Sequence, residues 1–242
     1  MPDSRPRRLL TQNSELRKIR VWNWTLPALA TRLPDGRTIS TCPSAGVCAQ
    51  ACFARAGAYR FPAVAARHVA NLAYVVDDPQ QWEWHMMWEL REDRFQGAWV
   101  RVHDAGDFFS DAYLAAWMRI MRTSPNTGFY AYTKEIARFR RMVEPDPPPN
   151  FRWVYSWGGR DDDLLTPEDR TVDVFPDEES IEAAGWHSQH DSDLLSVLGP
   201  PNVACPANNI PQLLKRQAGR TFREWQTEVD ARRAEKKSRH SP

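Results

Sequence analysis

The feature that most constrains the fold is an alternation of strand-like and helix-like segments between residues 98 and 205. Short runs rich in β-branched and aromatic residues are followed by longer segments with helical periodicity. The predicted strands cover 98–103, 128–132, 151–156, 171–175 and 202–205, with helices predicted at 110–121 and 134–142. Strands connected through helices pair in parallel. The sequence therefore predicts an α/β fold with a mostly parallel sheet and alternating helices, similar to a partial barrel.

The residues before this alternation predict several shorter elements. A strand is expected over 20–26, and the turn signal at 34–36 predicts a hairpin. Small residues over 47–56 indicate a short helix that a glycine ends. Two longer helices are predicted, one over 62–76 and one over 80–95, because apolar residues recur there at helical spacing.

Polar residues and a glycine follow the predicted strands where those strands end. His103, Asp104, Gly106 and Asp107 follow one strand, Tyr132 and Lys134 belong to the end of another, and Ser156 ends a third. Loops after parallel strands meet at one edge of the sheet and commonly bind ligands. Carboxylates bind amines or hydroxyls, and an ammonium group binds anions. We therefore expect a small-molecule ligand at this edge, with a tight turn in which Asp107 or Ser110 caps the following helix as the alternative.

Three cysteines lie close together, and a fourth ends the last predicted strand. Cys42 and Cys48 are separated by five residues, Cys48 and Cys52 by three, and Cys205 follows much later. On a helix Cys48 and Cys52 would share a face, with Cys42 on the preceding loop. Thiolates bind zinc and iron–sulfur clusters. We predict that these cysteines bind a [4Fe–4S] cluster, with zinc as one alternative and four buried, inert cysteines as another.

Charge is balanced over the whole chain but not along it. The net charge is +1, whereas residues 215–242 carry nine Lys or Arg against four Asp or Glu. Basic segments are usually solvated, but they also bind nucleic acid. We therefore predict a basic N-terminal arm over 1–20, a single α/β metal-binding domain over 21–220, and a C-terminal helix with a basic tail over 221–242. The basic termini are candidate nucleic-acid contacts.

The sequence shows no apolar run long enough to cross a bilayer and no signal peptide. No membrane partner is therefore predicted, and a cytoplasmic location is expected. In the cytoplasm, cysteines are more often thiols or metal ligands than disulfides. Phosphate-binding, esterase and metalloprotease motifs are absent from the sequence, so those enzyme classes are unsupported.

Four segments of the chain resemble a known family when they are taken in order. They are Leu10-Thr11-x-Asn13-Ser14-x-Leu16, Thr41-Cys42-Pro43-x-Ala45-x-x-Cys48-x-x-x-Cys52-Phe53-Ala54, Val102-His103-x-x-Gly106-Asp107-Phe108-Phe109-Ser110, and Phe129-Tyr130-x-Tyr132-Thr133-Lys134. Together they resemble the gene product 88 family of phages and plasmids, over most of residues 9–206. The resemblance implies a phage or mobile-element protein in the cytoplasm of the host cell. It implies little chemistry, because the family has no settled biochemical function.

The chain departs from that family pattern at one point. Members usually carry further cysteines after the segment matched by Cys205-Pro206-Ala207, whereas this chain continues with Asn208-Asn209. The departure puts a second metal-binding knuckle in doubt here.

A looser similarity is to radical S-adenosylmethionine enzymes, which have three clustered cysteines after a first strand. In those enzymes a glycine-bearing acidic motif holds the amino group of S-adenosylmethionine, and here Gly106-Asp107 would correspond to it. The cysteine spacing differs from their usual one. A fourth thiolate, from Cys205, would also occupy the coordination position of the iron atom that must bind S-adenosylmethionine.

Two hypotheses follow from the sequence. The first is an iron–sulfur α/β protein with the strand-end residues around the cluster, and a radical-type enzyme is one form of it. The second is a zinc-stapled accessory protein without enzymatic activity that binds nucleic acid through its basic termini. The sequence leaves open whether the protein is an enzyme.

Overall fold

The computed structural model describes residues 8–207 and 210–239. The strands are β1 Val21–Trp24, β2 Ala30–Arg32, β3 Thr38–Ser40, β4 Trp99–Val102, β5 Gly128–Thr133, β6 Phe151–Ser156, β7 Thr171–Phe175, β8 His187–Ser188 and β9 Val203–Pro206. The helices are α1 Ser14–Lys18, α2 Pro62–Asp77, α3 Pro79–Glu89, α4 Asp111–Thr123, α5 Ile136–Met142, α6 Glu178–Ala183, α7 Leu195–Leu198, α8 Pro211–Gln217 and α9 Phe222–Arg239.

The predicted α/β fold is confirmed. A seven-stranded sheet has the order β1-β4-β5-β6-β7-β9-β8, and β2 and β3 form a separate antiparallel hairpin. The pairs β1–β4, β4–β5, β6–β7, β7–β9 and β8–β9 are all parallel. Sequence reasoning missed α1, α7 and β8, which are short elements with five, four and two residues.

The helices begin where capping residues and prolines predict. Pro62 occupies the first turn of α2, where its missing N–H costs nothing. The side chain of Asp78 accepts the N–H of Gln81 at the start of α3, and Ser110 accepts the N–H of Tyr113 at the start of α4. These local signals fix the helix boundaries independently of the core.

The chain divides into two compact units. The first contains residues 8–43 and 54–153, and the second contains residues 44–53, 154–207 and 210–239. The prediction of one domain over 21–220 remains a prediction.

The core of the first unit is aromatic. Trp24, Trp82 and Trp117 lie fully buried with ring centroids 5.6 to 6.4 Å apart. Leu9 and Leu10, which fall in the predicted N-terminal arm, are also buried. Their backbone N–H groups both donate to the carboxylate of Glu89. Burial raises the pKa of Glu89, and these two N–H donors oppose that rise.

The core of the second unit contains a hydrophobic group that we call the loop cluster. Its buried members are Val47, Ala51, Phe222 and Trp225. The basic C-terminal segment is therefore partly structural, since α9 buries its first turns in this cluster and extends to Arg239. In the described residues, no helix is both long and apolar enough to cross a membrane.

Candidate metal and ligand site

Cys42 lies in the first unit, directly after β3. Its Sγ accepts the backbone N–H of Leu29 at 3.3 Å, and Leu29 has a left-handed backbone with φ of 61°. The hydroxyl of Thr41 donates to the carbonyl of Leu29 at 2.8 Å and so holds this turn in place. A left-handed leucine is costly. The turn therefore aims a backbone donor at the sulfur, an arrangement that stabilises a thiolate or a metal-bound sulfur.

The loop with Cys48 and Cys52 is not the predicted helix. It forms 3-10 turns at Val47–Ala49 and Phe53–Arg55, so the argument that Cys48 and Cys52 share a helix face does not apply. The N–H groups of Ala49 and Gln50 donate to carbonyls three residues earlier, at Gly46 and Val47, which is the 3-10 pattern. Cys48 donates its backbone N–H to the carbonyl of Gly158 at 3.3 Å, so a contact distant in the sequence holds the start of this loop.

The cysteine loop is held by long-range polar contacts within the second unit. The side-chain oxygen of Gln226, on α9, accepts the N–H of Val47 at 2.8 Å. Arg160 donates its backbone N–H to the carbonyl of Ser44 at 2.9 Å. A Cβ at Gly46 would lie 2.7 and 2.8 Å from the backbone oxygens of Gly158 and Gly159, so only glycine fits there. Sequence reasoning missed these supports, because nothing in the sequence around Gln226 or Arg160 links them to the loop.

Cys205 and the cysteine loop lie on one face of the sheet. Cys205 on β9 is the register partner of Val174 on β7, and adjacent partners in parallel strands point to the same face. Val174 packs against the loop cluster, and so does Cys48. Cys52 directly follows Ala51, a buried member of the same cluster. All four cysteines of the chain are half-buried.

The thiols are chemically suited to zinc or an iron–sulfur cluster, since both accept thiolate ligands. Within residues 8–207 and 210–239, no group of three or more His, Cys, Asp or Glu side chains is positioned to hold a metal ion. The donor type of the four cysteines fits either metal group.

The buried residue Asp173 fixes the start of α9. Its carboxylate accepts the backbone N–H groups of Phe222 at 3.1 Å and of Arg223 at 3.3 Å. A carboxylate at a helix N-terminus satisfies N–H groups without intrahelical partners and interacts favourably with the helix dipole. Asp173 thus supports the helix that carries Gln226 and, through it, the cysteine loop.

Asp107 is a structural carboxylate in the first unit. It accepts the hydroxyl of Thr133 at 2.7 Å, the N–H of Lys134 at 2.9 Å and the N–H of Phe108 at 2.8 Å. Burial raises its pKa, and these donors oppose the rise. Ser110, rather than Asp107, caps α4. Asp107 instead connects the loop after β4 to the end of β5.

His103 is a core histidine. It is 3% exposed, and its Nε2 lies 2.9 Å from the hydroxyl of Tyr113, which accepts the indole N–H of Trp24 at 2.8 Å. Its φ of 73° is in the left-handed region. Burial lowers the pKa of His103 to about 3, so the ring stays neutral at ordinary pH. In the part of the chain that the structure describes, Nδ1 of this ring has no hydrogen-bond partner.

Asp104 lies in a half-buried polar group that sequence reasoning identified only in part. The hydroxyl of Tyr59 donates to its carboxylate, and a guanidinium nitrogen of Arg101 lies 3.4 Å from it. The Arg101 guanidinium also lies 4.8 Å from the ring centroid of Tyr132. Burial lowers the pKa of His68, and Asp104 opposes that change. Arg101 could have been noticed in the sequence because it is a charged residue within the otherwise apolar strand β4.

The predicted strand-end residues are divided between the two units. His103, Asp104, Gly106, Asp107, Tyr132 and Lys134 belong to the first unit, whereas Ser156 ends β6 in the second. Within the first unit, hydrogen bonds from the Thr133 side chain and the Lys134 backbone to Asp107 join the ends of β4 and β5. The expectation that all of these residues line a single site remains a prediction.

Gly106 should tolerate no side chain, and we expect Gly106→Ala to lower the free energy of unfolding by roughly 2–4 kcal/mol. Its φ is 84°, and a Cβ would lie 2.8 Å from the Cβ of Leu26. Gly97 is a matched control, because its φ is 67° but nothing lies within 4 Å of an added Cβ. Urea denaturation of both variants separates backbone strain from the clash. Equal losses in the two variants would remove the clash from the explanation.

Comparisons with known proteins point to one family. A family model described as Gene product 88 matches residues 5–239. The Gene 88 protein of Mycobacterium phage L5 is 53% identical over 34 residues, a segment that covers 14% of this chain and 14% of that relative. The matched segment therefore covers only a small part of that relative's length. No solved structure matches the chain.

Proposed function

The chain belongs to the Gene product 88 family, and we propose that it is a phage protein that binds a metal through Cys42, Cys48, Cys52 and Cys205. The preferred metal group is a [4Fe–4S] cluster, and a zinc ion is the alternative. The single observation that carries this proposal is the shared sheet face. Cys48 and Val174 pack against the same loop cluster, and Cys205 is the register partner of Val174.

Two features of individual residues support the proposal. The Leu29 N–H donates to Sγ of Cys42, and N–H donors to sulfur stabilise thiolate ligands and tune the potential of clusters. The cysteine loop is held by Gln226 and Gly158 rather than by its own helical bonds, so its sulfurs are positioned by the folded unit. When bound, an iron–sulfur cluster would supply electron transfer, whereas zinc would supply a structural cross-link.

S-adenosylmethionine is not part of this proposal. With Cys205 as a fourth thiolate ligand, a cluster would have no open position for it. Both carboxylate oxygens of Asp107 already accept protein donors, so Gly106-Asp107 is poorly placed to hold an amino group. Cleavage of S-adenosylmethionine by the reduced protein would overturn this part of the proposal.

A small-molecule ligand at the strand ends would instead meet Asp104 and the Lys134 side chain.

Serine variants of the cysteines test the metal site. We expect Cys48→Ser and Cys52→Ser each to abolish most metal binding, and Cys205→Ser to reduce it, when iron and zinc per chain are measured after anaerobic purification. Gln50→Ala is the matched control, because Gln50 lies between the two cysteines with an exposed side chain. Unchanged metal content in the cysteine variants would contradict the proposal.

A second candidate is the zinc-stapled accessory protein, with nucleic acid bound through the basic C-terminal part of α9. The observation that favours it is the exposure of Arg232, Arg233 and Arg239. Truncation at residue 220 would remove Phe222 and Trp225 from the loop cluster, so charge exchange is the sharper test. Arg232→Glu with Arg233→Glu should weaken duplex binding and reduce its salt dependence. Unchanged affinity would eliminate this surface.

A further inference from the structure

Two exposed tryptophans stack on one face of α3 in the first unit. The rings of Trp84 and Trp88 have centroids 5.8 Å apart and an interplanar angle of 17°, and the two residues are 60% and 59% exposed. They are four residues apart and so share a helix face. Single exposed apolar residues are common, but a stacked and exposed indole pair is a recognised feature of binding surfaces.

A positive charge lies beside this face, just after the end of α3. The guanidinium carbon of Arg91 lies 5.3 Å from the ring centroid of Trp88. No carboxylate in residues 8–207 or 210–239 forms an ion pair with Arg91. The positive charge of Arg91 is therefore not neutralised by an ion pair and can interact with an external anion. We call Trp84, Trp88 and Arg91 the indole platform.

The platform borders two adjoining clefts of about 430 and 250 Å³, which share Arg91 and Thr123. Their linings combine apolar contact with uncharged hydrogen-bonding groups, among them Met87, Gln96, Thr123 and Asn126. Arg91 supplies the charge of these linings, which contain no carboxylate. The electrostatic character of the surface thus complements an anion.

We propose that the indole platform binds single-stranded nucleic acid by stacking a base on the Trp84–Trp88 pair, with a phosphate at Arg91. Exposed aromatic rings beside a positive charge are the means by which proteins hold unpaired bases without regard to sequence. The amides of Gln96 and Asn126 in the adjoining cleft can donate to base edges or sugar oxygens. A second copy of this chain suits the surface less well, because two indoles and Met87 offer little of the apolar area that a stable dimer buries.

The experiment is fluorescence anisotropy of a labelled twelve-nucleotide oligo-dT with the full chain at low salt. We expect Trp84→Ala with Trp88→Ala to weaken binding about tenfold to a hundredfold, as expected for the loss of one stacked base. Trp84→Phe with Trp88→Phe should retain more affinity, because phenylalanine also stacks. Arg91→Ala should lower the steepness of the salt dependence by about one phosphate contact.

Phe61→Ala is the matched control, since Phe61 is 62% exposed but lies outside the platform. This control should leave the affinity unchanged. The proposal is overturned if the wild-type protein does not bind the oligonucleotide at low salt, or if the alanine pair binds as tightly as the wild type. It is also overturned if sedimentation shows a wild-type dimer that the alanine pair abolishes, because the platform would then bind a second copy. The C-terminal Arg232 and Arg233 variants distinguish this surface from α9.

Discussion

Asp107→Ala is expected to lower the free energy of unfolding by roughly 3–5 kcal/mol. The carboxylate is 6% exposed and accepts three protein donors. Its removal leaves the buried hydroxyl of Thr133 and the N–H groups of Phe108 and Lys134 without that acceptor. Each unsatisfied buried donor costs about 1–3 kcal/mol. Urea denaturation of the variant measures the loss.

Two comparisons make the Asp107 result specific. Asp107→Asn retains an acceptor oxygen and should lose less stability than the alanine variant, since burial already disfavours the charged carboxylate. Asp111→Ala removes an exposed carboxylate that pairs with Arg138 and Arg141, and surface pairs contribute little. An Asp107→Ala loss no greater than that of Asp111→Ala would show that the buried bonds are not what stabilises this loop.

His103 is expected to make the protein lose stability as the pH falls below 6.5. The pKa of His103 is about 3 when folded, against an ordinary value of 6.5, so only the unfolded chain binds a proton between these values. Unfolding is therefore favoured as the pH falls through that window, by about 1.4 kcal/mol per pH unit from this group alone. Above pH 6.5 the histidine is neutral in both states and contributes no pH dependence.

The variant His103→Asn tests this linkage, because asparagine tolerates the left-handed backbone but does not titrate. Its free energy of unfolding should fall less steeply between pH 6 and pH 4 than that of the wild type, whatever its value at pH 7. His190→Asn is the matched control for the loss of a histidine at an exposed position. Equal slopes in the wild type and His103→Asn would mean that His103 takes up its proton in the folded protein.

The fold was predictable because its signals are local. Asp78 and Ser110 cap their helices as their positions predict, and strands with helices between them pair in parallel. The cysteine loop was not predictable, because small residues favour a helix, whereas the folded loop forms 3-10 turns and its first N–H groups donate to Gly158 and Gln226. Gln226 lies 179 residues from Val47 along the chain, and no local pattern indicates such a contact.

In the candidate site, too, the position of a residue was predictable but its bonding partners were not. The sequence correctly placed His103 and Asp107 at the end of a strand, but not what they bond to. Asp107 bonds to Thr133 and Lys134 because β4 and β5 are neighbours, and that pairing is a property of the whole sheet. Tyr59 was missed beside Asp104 because it lies 45 residues away in sequence.

Whether the cysteines bind a metal is decided by the composition of the wild-type protein purified without oxygen. We expect a coloured protein with broad visible absorption and with iron and acid-labile sulfide bound together. A colourless protein with about one zinc ion per chain would select the zinc alternative. A protein that binds neither metal, even after reconstitution with iron and sulfide or with zinc, would contradict the account.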